Sequence, residues 1–444
     1  MGGNVVDLLA QFVEDRYDAA SSDYTDLEPL MTRLAAAPPA TGVDLPALLD
    51  LVGQAAAKGF DTAGPGFVGY IPGGGLYASA LADFIAGVIN RYTGLAGPAP
   101  ALVQLEASVL RWLCDTFGMP AGSQGLLTTG GSMSTLSAVV AARTARLGED
   151  FRGACLYVSD EVHHCVAKAA QIAGLPADAL RVVPTDEHLR LDVPALRAAV
   201  AADRADGRRP FMVVASAGTI NTGVVDPLDA VADLTAEQDL WFHVDGAYGG
   251  FFQLTARGRE AFRGMERADS IVLDPHKGLF LPYGTGCLLV RNGELLRAAH
   301  KVHAHYLPRP SDDPGLPDFS SYGPELTREF RGLRLWLPLH LHGTQAFVDA
   351  LDEKLDLARW LHAELTALPS LEVADGPDLS LVAFRPRTGD PDALLARING
   401  TGRVWLSSAP VRGRTFLRMC VLSHRTRRDR LEEAVTIIKT SLQG

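Results

Sequence analysis

Two stretches of the sequence decide the fold: residues 240–248 read LWFHVDGAY, and residues 270–278 read SIVLDPHKG. Each is a short apolar run that ends abruptly in polar residues, with Asp245 closing the first and Asp274 to Lys277 closing the second. Such a run is typical of a strand that is buried on both faces of a parallel sheet. Because open α/β sheets bind ligands at the carboxyl ends of their strands, these polar endings predict a functional site.

Outward from these stretches, short apolar runs alternate with helical patterns, which predicts βα units, the α/β class and a mainly parallel sheet. Residues before about 60 show amphipathic helical patches without a clear strand, and a long helical pattern after residue 343 leads into short strand candidates and a charged helix. The further strand candidates in the central region are 154–158, 211–216 and 286–290. We therefore expect an N-terminal helical arm (1–63), a large α/β domain (64–343) and a small C-terminal α+β domain (344–444).

Composition excludes several classes of protein. The chain has 444 residues, 47% of them hydrophobic, and its 52 acidic against 41 basic residues give a net charge of −11, so a nucleic-acid partner is not expected. The first residues lack the pattern of a secretory signal, so we expect a cytoplasmic protein. The longest uncharged stretch, 116–142, is interrupted by glycine and proline, and we interpret it as strand, turn and helix rather than as a membrane span.

Lys277 directly follows an apolar run, where an amine removed from water could form an imine with an aldehyde cofactor. Taken alone, it would more often be a surface lysine at a strand end. Asp245, at the end of another predicted strand, favours the imine, because a carboxylate that keeps a pyridine nitrogen protonated turns the ring into an electron sink. Ala247 is small enough for an aromatic ring to lie flat beside it.

Residues 128–132 read TTGGS and lead into a helical pattern, so their amides and hydroxyls could bind a phosphate at a helix N-terminus. The segment alone would more often be a helix cap, and it matches neither common glycine-rich nucleotide motif. His163 follows the run 154–158 and could lie over a bound ring or simply cap a helix. No metal is expected, because the later histidines lack the spacing of a metal site; they are His300, His303, His305, His340 and His342.

Four motifs follow one another in the sequence: His163, Thr219, HVDGAY at 243–248 and DPHK at 274–277. Their order and spacing resemble the group II pyridoxal-phosphate (PLP)-dependent amino acid decarboxylases, which include the aromatic-amino-acid, histidine and glutamate decarboxylases. The resemblance covers about residues 60–345. It implies the aspartate-aminotransferase-like fold type I, PLP as cofactor, a small-molecule amino acid as substrate, and a homodimer with active sites at the subunit interface.

The resemblance also implies roles for single residues. Lys277 would form the imine, Asp245 would bind the pyridine nitrogen, and His163 and Ala247 would cover the two faces of the ring. Thr219 would lie near the cofactor hydroxyl or the substrate carboxylate. The residues expected at the phosphate are Gly131, Ser132 and His276, with Asp274 as a further candidate.

The substrate pocket is expected at Tyr70, Ile71, Pro72, Tyr92 and Gly94. Gly94 falls where aromatic-amino-acid decarboxylases place a phenylalanine against the substrate ring. An aromatic substrate is therefore not assured, and a bulky or S-substituted side chain is an alternative.

A second departure lies in the catalytic loop, where Phe319 falls at the family's catalytic tyrosine. That tyrosine protonates the carbon after carbon dioxide leaves, and Tyr322, three residues on, is an alternative donor. The predicted reaction is decarboxylation at the α-carbon through a quinonoid intermediate, which gives an amine.

Three alternatives stay open at this point. Because phenylalanine has no proton to give, one is decarboxylation coupled to oxidative deamination, in which oxygen is consumed and aldehyde, ammonia and peroxide form, as in related aldehyde synthases. Another is a different α-carbon reaction of the same cofactor, such as β-elimination. The last is a catalytically inactive subunit that serves as a binding partner.

Overall fold

The computed structural model describes residues 2–301 and 315–443. Its helices are α1 (Gly2–Glu14), α2 (Leu27–Leu34), α3 (Leu45–Ala56), α4 (Tyr77–Ile89), α5 (Pro100–Thr116), α6 (Gly131–Leu147), α7 (Cys165–Ile172), α8 (Val193–Ala205), α9 (Leu228–Glu237), α10 (Ala256–Ala261), α11 (Pro275–Gly278), α12 (Gly293–His300), α13 (Gly332–His342), α14 (Thr344–Thr366), α15 (Pro391–Asn399) and α16 (Arg428–Ser441). Its strands are β1 (Ser22–Asp23), β2 (Gly59–Phe60), β3 (Gln124–Thr128), β4 (Ala154–Ser159), β5 (Leu180–Val183), β6 (Arg209–Ser216), β7 (Trp241–Gly246), β8 (Ser270–Leu273), β9 (Gly286–Val290), β10 (Leu371–Val373), β11 (Leu381–Pro386), β12 (Ser407–Val411) and β13 (Arg414–Cys420).

The larger of two compact units comprises residues 75–355 and 377–380 and is built around a seven-stranded sheet of order β3-β9-β8-β7-β6-β4-β5. The strands from β8 to β5 run parallel, whereas β9 is antiparallel to both of its neighbours. This mainly parallel, mixed sheet confirms the predicted α/β class. The short strand β5 was not predicted, because only one of its four residues is fully buried and its sequence is not a continuous apolar run.

The sheet is buried because helices cover it. Every residue of β4, β7, β8 and β9 is buried, and helices α6 and α7 contribute alanines and valines to the core that packs on the sheet. Small side chains on α6 allow its backbone to approach the strands closely, which brings the first turn of this helix to the carboxyl edge of the sheet. That edge is where the predicted site residues are found.

The smaller unit comprises residues up to 74, residues 356–376 and residues from 381 onward. It contains a four-stranded antiparallel sheet of order β10-β11-β13-β12 and the two-stranded pair β1-β2. Its core is formed by apolar residues of these strands and of helices α14, α15 and α16. The domain boundaries expected near residues 63 and 343 stay a prediction.

Two further features bear on the class of protein. All five cysteines are buried and free, as expected from their wide spacing. Within the ranges that the structure describes, no helix is both long and apolar enough to span a bilayer. The uncharged stretch 116–142 forms the end of α5, the strand β3 and most of α6, as interpreted from its glycines and prolines.

Candidate active site

The centre of the candidate site is the single helical turn α11, which follows strand β8 directly. Asp274 has an extended backbone and precedes the turn, and Pro275 occupies its first position, where proline's fixed φ suits a helix start. The amide of Lys277 donates to the Asp274 carbonyl at 2.8 Å. Residues three apart on a helical turn lie on one face, so the turn places the Lys277 side chain beside the carboxylate of Asp274.

The Lys277 amine is paired at this site. Its Nζ lies 2.8 Å from Oδ2 of Asp274, a carboxylate that is almost fully buried. Burial pushes the pKa of Lys277 down, but the charges of Asp274 and Asp245 outweigh it, and the pKa lies above its usual value. Before it meets a carbonyl compound, Lys277 is therefore an ammonium ion, and Asp274 is its counter-ion.

Asp245 occupies the end of strand β7 and interacts electrostatically with Lys277. Its Oδ1 accepts the amide N–H of Ala247 at 3.0 Å. Burial raises the pKa of its carboxyl, while the Ala247 amide and Lys277 act in the opposite direction. Lys277 and Asp245 thus lie close enough to interact electrostatically, and their joint contact with one ring stays a prediction.

His163 lies just before helix α7 and is half-buried. Its Nδ1 accepts the amide N–H of Cys165 at 3.1 Å, so the neutral ring carries its proton on Nε2. Burial, His164 and Lys277 lower the pKa of His163 to about 4. At neutral pH the imidazole of His163 is therefore uncharged. It interacts electrostatically with Lys277 and Asp274, so it lies near these two residues.

The first turn of α6 forms the other wall of this region. A β-carbon built at Gly131 would lie 3.0 Å from Oδ2 of Asp274 and 3.3 Å from the side chain of Ala247, so a larger residue there would have to displace these neighbours. Gly130 has φ of 156°, a conformation that favours glycine. The first amides of a helix have no intrahelical acceptor, and Ser132 adds an exposed hydroxyl to the same turn.

His276 lies between this helix turn and the sheet. Its Nδ1 is 2.7 Å from the carbonyl oxygen of Thr285, and its Nε2 is 3.6 Å from Oδ2 of Asp274. Burial is the largest of the effects on His276 and holds its pKa below the usual range. Oδ1 of Asp274 is buried and has no hydrogen-bond partner within the described part of the chain.

Thr219 lies in the loop that follows strand β6 and is buried. Its Oγ1 is 3.1 Å from Oγ1 of Thr222, and its amide donates to the carbonyl of Val224. The adjacent Gly218 packs against the Tyr248 ring, where a β-carbon would meet ring atoms at 2.7 Å. The loop is thereby held beside the residues that follow β7, and a direct contact of Thr219 with a ligand stays a prediction.

The loop that carries Phe319 packs against the segment that carries Tyr92 and Gly94. The amide of Ser320 donates to the Gly94 carbonyl at 2.9 Å, and the Tyr92 hydroxyl donates to the carbonyl of Leu326 at 3.0 Å. A β-carbon at Gly94 would lie 2.8 Å from that same Leu326 oxygen. The space that the missing side chain leaves is therefore filled by the chain itself, and a role of Gly94 in substrate selection stays a prediction.

The two candidates for the catalytic loop position have different surroundings. Phe319 is 1% exposed, and the Arg328 guanidinium carbon lies 5.0 Å from the centre of its ring. Tyr322 is half-buried and packs against the core that includes Leu296 of α12. Burial raises the pKa of the Tyr322 hydroxyl, so it keeps its proton at neutral pH.

The remaining pocket candidates belong to the smaller unit. Tyr70 has a positive φ of 46° and an exposed side chain, and its amide donates to Oγ of Ser407 at 3.0 Å. Its ring centre lies 5.2 Å from that of Trp405. Ile71 and Pro72 are buried. Their contribution to a substrate pocket stays a prediction.

Two residues near the site were not predicted from the sequence. Nη1 of Arg334 donates to Oγ1 of Thr285 at 2.9 Å and to the Gly284 carbonyl at 3.0 Å, and its Nε lies 2.7 Å from Asp83. Nothing in the sequence around Arg334 shows that the arginine reaches back to Thr285. The contact that Thr285 makes with His276 is equally invisible in the sequence.

No group of three or more candidate metal ligands occurs among the residues described, and His303 and His305 lie outside them. Of the other histidines in that set, His300 bonds the Leu296 carbonyl of its own helix through Nδ1, and His340 does the same with Trp336. Both are ordinary contacts within a helix.

Comparison with known proteins identifies close similarity over the whole chain. The pyridoxal-dependent decarboxylase conserved domain matches residues 30–387. An aromatic-L-amino-acid decarboxylase of Bacillus atrophaeus is 32% identical over 451 residues, which cover 99% of this chain and 94% of the relative. A phenylacetaldehyde synthase of Arabidopsis thaliana is 27% identical over 401 residues, or 84% and 81% of the two chains. The crystal structure of Oryza sativa TDC with PLP and tryptamine superposes with a TM-score of 0.94 at 26% identity, covering 99% of this chain and 96% of that one.

Proposed function

The chain belongs to the family of pyridoxal-dependent decarboxylases with fold type I and PLP as cofactor, and from that premise we propose that it removes the α-carboxylate of an L-amino acid as carbon dioxide and releases the amine. The observation that carries the proposal is the pairing of Lys277 with Asp274 at 2.8 Å beside the buried Asp245. An amine and a carboxylate in one buried region are the two groups that this chemistry requires.

The described residues fit the cofactor. Lys277 offers the amine for its aldehyde carbon, Asp245 the carboxylate for its ring nitrogen, and Ala247 a small side chain beside the ring. The turn at Gly131, where a β-carbon would touch Asp274 and Ala247, supplies amides for its phosphate. When bound, PLP supplies an electron sink for the pair of electrons that the departing carboxylate leaves on the α-carbon.

Three residues of the chain would have separate roles in this reaction. Asp274, 2.8 Å from Nζ, would hold the Lys277 side chain in place for the cofactor's aldehyde carbon. Asp245 would hold the ring nitrogen and keep a proton on it, and its burial would make that charge pairing strong. His163, uncharged at neutral pH, would lie against the cofactor ring and help to exclude water there.

Phe319 supports a second candidate function, the coupling of decarboxylation to oxidative deamination. Its ring is buried beside Arg328 and has no hydroxyl with which to protonate the carbon after carbon dioxide leaves. A similar protein from Arabidopsis thaliana is a phenylacetaldehyde synthase. In this case oxygen is reduced to peroxide, and the products are aldehyde and ammonia.

For the substrate we propose an aromatic L-amino acid as the first class to test, because the similar proteins include aromatic-L-amino-acid and tryptophan decarboxylases. Bulky aliphatic and S-substituted cysteine-type amino acids form the second class. Because the chain itself fills the space at Gly94, that glycine gives no reason to prefer the second class.

We further propose that the protein is a cytoplasmic homodimer. Helix α4 exposes one continuous apolar face, on which Phe84 is 54%, Ile85 45%, Val88 70% and Ile89 40% exposed. Such a face is expected to be covered by a second subunit, because large apolar patches are unusual on the surface of a monomer.

The test is a product assay on the purified protein with oxygen monitored. Amine that accumulates equally with and without oxygen supports simple decarboxylation, whereas oxygen uptake matched by ammonia and peroxide supports the second candidate. Lys277→Ala is expected to abolish turnover and the visible absorption of the bound cofactor. If that absorption is unchanged in the variant, Lys277 is not the anchoring residue.

A further inference from the structure

The neutral His276 ring carries its one N–H proton on the nitrogen that faces the Thr285 carbonyl, not on the nitrogen that faces Asp274. Its Nδ1 lies 2.7 Å from the carbonyl oxygen of Thr285, which can only accept a hydrogen bond, so the proton of the neutral ring is on Nδ1. Nε2 therefore presents a lone pair, and it faces Oδ2 of Asp274 at 3.6 Å.

Asp274 adds a second acceptor at the same place. Its carboxylate is 2% exposed, and its Oδ1 has no hydrogen-bond partner in the described part of the chain. Both carboxylate oxygens lie within 3.3 Å of the position that a β-carbon at Gly131 would take, on the first turn of α6. The side chains of Asp274 and His276 thus offer no hydrogen to an anion bound at this turn.

The proton on Nδ1 is held there by a second layer of contacts. Arg334 donates to Oγ1 of Thr285 and to the Gly284 carbonyl at 2.9 and 3.0 Å, and Asp83 holds the guanidinium at 2.7 Å. These bonds hold the Gly284–Thr285 segment in place, and His276 cannot exchange the roles of its two nitrogens without losing its buried hydrogen bond to the Thr285 carbonyl.

We propose that the Asp274–His276 pair takes up one proton from solvent when the phosphate of the cofactor binds, so that cofactor affinity falls as pH rises. The inference rests on the proposed function, since it assigns the phosphate to the turn at Gly131. The added proton gives the pair a hydrogen to donate and removes one negative charge beside a phosphate dianion.

The charged groups around Asp274 and His276 do not supply a positive charge that could replace this proton beside the phosphate. Lys277 is the cation nearest to Asp274, but it gives up that ion pair when its nitrogen bonds to the cofactor's aldehyde carbon. Arg334 faces His276 and lowers its pKa. The Tyr283 ring lies 5.6 Å from the ring of His276. Asp274 also interacts with Asp245 on β7, Cys287 on β9, and His163 and Cys165 at α7. All four are neutral or negative at neutral pH.

The direction of the pH effect follows from these charges. Burial keeps the pKa of His276 below its usual range in the free protein, and a bound phosphate dianion raises the proton affinity of the pair. By linkage, the cofactor binds most tightly at low pH. Between the pKa of the pair in the free protein and its pKa with phosphate bound, affinity falls about tenfold per pH unit.

The experiment is calorimetric titration of the cofactor-free full chain in buffers of different ionisation enthalpy. Above about pH 7.5 the phosphate monoester is already a dianion in solution, so it needs no proton of its own. PLP is expected to take up about one proton more than pyridoxal, which has the same ring and aldehyde but no phosphate. Equal proton counts for the two ligands would overturn the inference.

Asp274→Asn tests the pair directly, because the amide supplies the missing hydrogen without a charge. The extra proton uptake is expected to fall to near zero and the affinity to become nearly independent of pH. His276→Gln, whose amide can donate toward Asp274, should reduce the uptake in the same way and serves if the first variant does not fold. Ser132→Ala is the matched control, since it removes an uncharged donor and should weaken binding equally at each pH with the proton count unchanged.

The outcomes separate this inference from the proposed function. Visible absorption from the Lys277 imine without extra proton uptake would leave the function standing and refute the coupling. A protein that binds neither PLP nor pyridoxal through Lys277 would refute the function itself.

Discussion

Asp245→Asn is expected to slow the reaction strongly while leaving the cofactor attached. The amide oxygen can still accept the Ala247 N–H now bonded at 3.0 Å, but the amide nitrogen has only hydrogens to offer to a protonated ring nitrogen. Loss of one partner of a buried, hydrogen-bonded charge pair costs about 2–5 kcal/mol. At about 1.4 kcal/mol per factor of ten, kcat should fall by about 30- to 5,000-fold.

The assay is carbon dioxide release at saturating substrate and cofactor, with visible absorption recorded to show that Lys277 is still occupied. Asp226→Asn is the matched control, because Asp226 is also a buried aspartate and accepts the amides of Ser216 and Leu191 at 2.7 and 2.8 Å. It should leave kcat unchanged. A kcat for Asp245→Asn within threefold of the parent would refute the assigned role of Asp245.

Although Asp245→Asn should slow the reaction, we expect it to stabilise the cofactor-free protein against unfolding. Burial raises the pKa of the Asp245 carboxyl above its usual value despite the opposing effects of the Ala247 amide and Lys277. A carboxyl whose pKa is raised by folding costs stability at every pH above that pKa, because the folded state disfavours its charge. The cofactor-free Asp245→Asn variant should therefore unfold at a higher temperature than the parent at about pH 7, and the gain should vanish at about pH 3, where both side chains are neutral.

Three other predictions test the loop, the core and the dimer. Phe319→Tyr is expected to lower oxygen uptake per carbon dioxide released, because it restores a proton donor; an unchanged ratio from a parent that consumes oxygen would show that Phe319 does not decide the product. Glu106→Gln should lower the free energy of unfolding by about 3–5 kcal/mol in denaturant titrations, because it leaves the buried Arg328, now 2.6 Å from the carboxylate, without its counter-charge; a loss below about 1 kcal/mol would contradict this. Val88→Glu, on the exposed apolar face of α4, should convert a dimer into monomers in light-scattering measurements, and a dimer that persists would place the interface elsewhere.

The sequence by itself determined the class of the fold and the centre of the site. Apolar runs that end in polar residues identified the central strands, and the rule that ligands bind at the carboxyl ends of strands assigned Asp245 and Lys277 to one edge of the sheet. These conclusions depend only on local pattern and on general rules of chain geometry. The ion pair of Asp274 with Lys277 was not predicted, because it depends on the helical turn that follows β8.

Only the tertiary structure decided which distant groups meet. An apolar run looks the same in either direction, so the antiparallel course of β9 could not be predicted. Gly94 suggested an open pocket, but a carbonyl more than two hundred residues later in the chain fills that space. The bond from His276 to the Thr285 carbonyl, which settles where the imidazole proton lies, likewise has no signature in either residue. Hydrogen bonds and packing between segments far apart in sequence depend on how the whole chain is folded, and no local pattern encodes them.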